Sequence, residues 1–218
     1  MSPKHSSENL FVQRQVTIEE VTDQLFLSIW LERHSRASRV QQFEKLLRLF
    51  PFSQREQPQS VLSIQAIGST EPPLLERPMN GPVVISDLIS ALREFQADDL
   101  AYRIESWWDL WQFDEDWDLR PARVALSCFG PDFDNGTERQ VTEQEDLRID
   151  FGVDSNYLPR PDVPGSARLI ESNIKSLLHL VHEVELLLPV AKRRLETESG
   201  ENFSERLEQA FSDGPSIQ

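Results

Sequence analysis

Three runs of alternating side chains follow one another between residues 100 and 151, and the links joining them are too short or too polar to hold crossover helices. Parallel neighbours need a dozen or more residues to return, so this spacing predicts an antiparallel meander. The runs are 100–113, 122–129 and 147–151. In the second, Ala122, Val124, Leu126 and Cys128 share one face; in the third, Leu147, Ile149 and Phe151 alternate with Arg148 and Asp150. Residues 114–118 form the first hairpin tip.

The same period marks two earlier strands. Over 24–32, Leu25, Leu27, Ile29 and Leu31 oppose Gln24, Ser28 and Glu32; over 60–67, Leu62, Ile64 and Ala66 oppose Ser63 and Gln65. Between them, Val40, Phe43, Leu46, Leu47 and Phe50 recur at helical spacing behind Ser35 or Ser38, either of which can cap the helix, and Pro51 ends it. A stretch carrying Pro72, Pro73, Pro78, Gly81 and Pro82 reads as a long surface connection or lid. Ser86 then caps a short helix with Leu88, Leu92 and Phe95 on its buried stripe. Ser166 caps the longest helix, 167–188, whose apolar face is Ile170, Ile174, Leu177, Leu178, Val181, Val184 and Leu188. Pro189 kinks that helix or starts a successor that Gly200 stops, and Phe203, Leu207 and Phe211 mark a last short one.

The expected fold is therefore α+β: a largely antiparallel sheet of about five strands, in the order β-α-β-α-β-β-β-α, covered by a long C-terminal amphipathic helix. Residues 1–15 are expected to be a flexible N-terminal arm, 16–196 a single domain, and 197–218 a short C-terminal helix with a frayed tail.

A formal net charge of -15 opposes unspecific binding to nucleic acid or anionic lipid, and neither is expected as a partner. The acidic surplus lies after residue 60. The single cysteine, Cys128, has no internal disulfide partner, which fits a reducing compartment. The polar N-terminus lacks a signal-peptide pattern, and the expected location is cytoplasmic.

Five tryptophans make the first candidate for chemistry. Trp107, Trp108 and Trp111 crowd one strand, Trp117 stands at the hairpin tip and Trp30 in the first strand, so rings must appear on both faces of the sheet. They form either an aromatic surface for a ligand or partner, or packing beneath helices on a sheet covered from both sides. A second candidate is the basic stretch with Arg33, His34, Arg36 and Arg39, placed where strand meets helix and suited to phosphate or carboxylate.

Other groups lack the grammar of a site. The carboxylates of Asp109, Asp114, Glu115, Asp116 and Asp118 crowd a hairpin, but counting a calcium loop from Asp132 puts Gly136 fifth and Thr137 sixth, against the template. His179 and His182 stand i, i+3 without a second Glu-x-x-His, and Cys128 falls on the apolar side of its strand. No metal and no cofactor are expected, nor is any catalytic residue assigned. Two function classes remain. One is a non-enzymatic binding module that takes a protein or small ligand on the Trp-bearing sheet, with a homodimer as one form of it. The other is a hydrolase or transferase that holds a small anionic substrate on the Arg33 to Arg39 stretch.

Overall fold

The alternating runs become one continuous sheet in the computed structural model, which describes residues 23–55, 59–66, 70, 72–134, 144–160 and 162–212. Its strands are β1 (Gln24–Leu31), β2 (Ser60–Ala66), β3 (Leu75–Met79), β4 (Leu100–Phe113), β5 (Trp117–Phe129), β6 (Leu147–Val153) and β7 (Val190–Thr197). They pair in the order β3-β2-β4-β5-β6-β1-β7, antiparallel at every step. Four helices accompany them: α1 (Arg36–Leu49), α2 (Ile85–Leu92), α3 (Ser166–Leu187) and α4 (Phe203–Ser212). The proposed arm, 1–15, lies outside the described residues.

Pleating sorts each strand into an inward and an outward row. On β4, Tyr102, Ile104, Trp108 and Leu110 are buried; their partners on β5, Cys128, Leu126, Ala122 and Arg120, continue the row until it reaches the hairpin. Leu25, Leu27 and Ile29 of β1 and Leu147, Ile149 and Phe151 of β6 join the same core. So do Phe43, Leu46 and Leu47 of α1, Leu88 and Leu92 of α2, Ile174 and Leu177 of α3, and Phe203 of α4. The helices thus bury their stripes against one face of the sheet. No helix among the described residues lies on the opposite face.

The sheet has two strands more than the expected five. One, β3, falls in the proline-rich stretch read as a connection or lid. It contains Pro78 and sits outermost, where a missing backbone N–H is tolerated. The other, β7, replaces the helix expected after Pro189. Its residues favour a helix, but β1 would otherwise present a free edge, and pairing along Leu25↔Thr197 to Leu31↔Val190 overrides local preference. Lys192 settles over the Trp30 ring at 4.5 Å and Arg193 pairs with Glu185.

Ser166 is the first helical residue of α3 rather than its cap. Its hydroxyl accepts the Arg160 amide at 2.7 Å, and Gly165, at φ 78°, makes the turn into the helix. At the other end of the chain, α4 is clamped by Arg206, which meets the buried Asp154 at 2.5 Å and Glu201 at 3.5 Å. No described helix is long and apolar enough to cross a membrane.

Candidate functional site

The tryptophans divide between the two faces of the sheet. Trp108 points inward, is 5% exposed, and packs edge-on to Phe50 at 5.6 Å and against Phe151 at 5.9 Å. It is a core residue. Trp107 and Trp111 point outward and are half-buried, opposite Arg123 and Leu119 of β5. Trp111 is fixed through its backbone: Asn173 of α3 accepts its N–H and donates to its carbonyl, both at 2.9 Å. Trp117 caps the hairpin against Phe113 and donates its ring N–H to the Pro164 carbonyl at 2.8 Å, which anchors the tip to the loop before α3. Trp30 shares the outward face, on β1.

Around Trp107 the outward rows carry a lattice of charges. Arg103 meets Glu105 at 3.2 Å and Asp150 at 3.9 Å, and Arg123 also pairs with Glu105. Burial pushes the Glu105 carboxyl up, but its hydrogen bonds and attraction to Arg123 and Arg103 outweigh this and hold it below the ordinary glutamate value.

Beside this lattice the sheet splits. The β5–β6 register runs from Cys128↔Leu147 to Ala125↔Asp150 and stops. Gly152, at φ 75°, turns its N–H to the Asp150 carboxylate at 2.9 Å and marks a bulge in β6, where the register to β1 shifts between Gln24↔Val153 and Phe26↔Asp150; the glycine lies against β5, and an added Cβ would be 2.9 Å from the Arg123 carbonyl. Further along the same row of β5, beyond Arg123, Pro121 has no N–H to offer β6. The opening is a cleft of about 530 Å³ whose polar lining includes Gln24, Arg103, Gln112, Arg123, Asp150 and Asn156.

The basic stretch does not converge. Arg39 is fully buried, donating to the carbonyls of Ala97 at 2.9 Å and Leu100 at 3.3 Å and to the Tyr102 hydroxyl at 2.7 Å. His34 is held between Gln42 Oε1 at 3.0 Å and the Phe129 carbonyl at 2.9 Å, with Asp146 3.9 Å away. Gln42 in turn donates to the Arg33 carbonyl at 2.7 Å. These contacts tie the β1–α1 junction to β5 and leave Arg33 and Arg36 exposed; Arg36 lines a groove between α1 and α2 with Arg93 and Glu44.

Cys128 is fully buried, and burial pushes its thiol up, away from the nucleophilic thiolate. His179 and His182 are exposed on α3. Among the described residues no three His, Cys, Asp or Glu side chains are grouped to hold a metal ion.

Sequence reasoning passed over Arg103, Glu105, Arg123, Asp150 and Gly152. A signal existed for the last: a lone glycine directly after an alternating run marks a bulge. The chain matches no protein-family model, no curated protein and no solved structure.

Proposed function

We propose that the protein is a non-enzymatic recognition module that acts in the cytoplasm and holds its partner on the outward face of the sheet, around Trp107 and Trp111. The observation that carries this reading is one-sidedness. Helices cover a single face, while the other sets two half-buried indoles beside an ordered charge lattice. Amphipathic rings held rigidly at a surface supply contact area at little conformational cost. Trp108 belongs to the core and Trp117 to the hairpin anchor, so neither is part of the recognition surface. The competing enzyme reading needs Arg33, His34, Arg36 and Arg39 to clamp one anion, and Arg39 and His34 are engaged in the interior instead.

Quantitative affinity capture from native lysate tests this, with Trp111→Ala and Leu186→Ala as paired variants, since Leu186 is exposed on the helical side. The expected outcome is a partner enriched by the wild type and by Leu186→Ala and lost from Trp111→Ala. Equal enrichment by both variants overturns the assignment of the face. A second copy of the chain as the captured species makes the module a homodimer, which sedimentation measures directly.

A further inference from the structure

We infer that the cleft between β5 and β6 is a binding site for a small zwitterion of the α-amino-acid class, with its carboxylate on Arg123 and its ammonium on Asp150. The site lies beside the proposed recognition face but does not depend on that reading.

Two opposite charges there have unused hydrogen-bonding capacity. Arg123 spends Nη2 on Glu105, while its Nε and Nη1 make no hydrogen bond or ion pair among the described residues. A guanidinium has five donors, arranged to grip a carboxylate in pairs. Asp150 accepts the Gly152 N–H at Oδ1, and among the described residues its Oδ2 meets only a distant Arg103, 3.9 Å away. A carboxylate accepts about four hydrogen bonds, so acceptor sites remain for an ammonium group.

Charge balance selects the ligand class. Arg103 and Arg123 stand against Glu105 and Asp150 in one connected lattice, so these charges of the cleft and its rim sum to zero. A lone anion or cation would answer only one of the two unspent groups, whereas a zwitterion answers both and leaves the balance unchanged. The amide side chains of Gln24, Gln112 and Asn156 offer both donors and acceptors along the lining. Pro121, Ala122, Val124 and Ala125 supply small apolar wall. A volume of about 530 Å³ is within the usual range for small-molecule sites.

Thermal unfolding of the full chain tests the assignment, using glycine, serine and glutamine beside N-acetylglycine and glycinamide. A free amino acid at a hundredfold excess over its Kd is expected to raise Tm by roughly 5–10 °C. Removing either charge from the ligand should abolish the rise. Arg123→Ala, an exposed substitution, should leave the basal Tm near wild type and remove the response; Asp150→Asn should weaken it. Trp111→Ala should retain the response, which separates this site from the recognition face. The inference is overturned if no free amino acid shifts Tm, if N-acetylglycine or glycinamide stabilises as well as glycine, or if Arg123→Ala responds like wild type.

Discussion

Tyr157 carries its hydroxyl into the core with no bonding partner among the described residues, and burial pushes that hydroxyl's pKa up. Its ring meets Phe151 and Phe203 edge-on, each at 6.4 Å, so the packing belongs to the ring alone. A buried hydroxyl left unbonded costs about 1–3 kcal/mol. Tyr157→Phe is therefore expected to raise the urea midpoint with an unchanged slope. The two neighbouring indoles should differ when truncated. Trp108→Ala removes a core ring and should cost about 3–5 kcal/mol, while Trp107→Ala should cost clearly less and act mainly on binding. Alternation in the sequence was enough to put Trp107 and Trp108 on different faces. Which face the helices cover was not legible, because that depends on where α1 and α3 land. Nor was the burial of Arg39, whose partners at Ala97, Leu100 and Tyr102 lie some sixty positions along the chain.

Among elements, the bulged end of β6 invites the most direct test. Gly152→Ala would force a side chain into the left-handed region and against the Arg123 carbonyl. Left-handed backbone alone costs roughly 1–2 kcal/mol in a residue with a Cβ. Denaturant unfolding should show a loss of about 1–3 kcal/mol, and retention of wild-type stability would mean that β6 can straighten without cost. The central elements could be read from the sequence because one row of each is buried by its own pattern, as in Leu147, Ile149 and Phe151. The edge elements could not. The Ala191, Lys192, Arg193, Arg194 run has the composition of a helix, and only the free side of β1, some 160 residues earlier, makes it a strand. Pro78 similarly hid β3, since proline argues against a strand everywhere except at an edge.

For the molecule as a whole, the charges that organise the outward face also set its tolerance of acid. Glu105 and Asp23 both have carboxyl pKa values below their ordinary ones. For Asp23, burial is outweighed by hydrogen bonds from Ser199 and contributions from Thr197 and Gln24. A depressed carboxylate favours the folded state in full above its unfolded value, near pH 4, and that contribution disappears as pH falls through the folded-state value. The urea midpoint should thus fall between pH 5 and pH 3, with a shallower fall in Glu105→Gln; parallel profiles would assign the acid sensitivity elsewhere. The strand order has a further consequence, this time for synthesis. The apolar strand Gln24–Leu31 leaves the ribosome before every other described strand, yet its two neighbours are Leu147–Val153 and Val190–Thr197. At typical elongation rates of about 5–20 residues per second, its second edge waits roughly ten to thirty seconds for a partner. During that interval, Leu25, Leu27, Ile29 and Leu31 form an apolar row on a strand with neither neighbour in place, the kind of surface that chaperones cover.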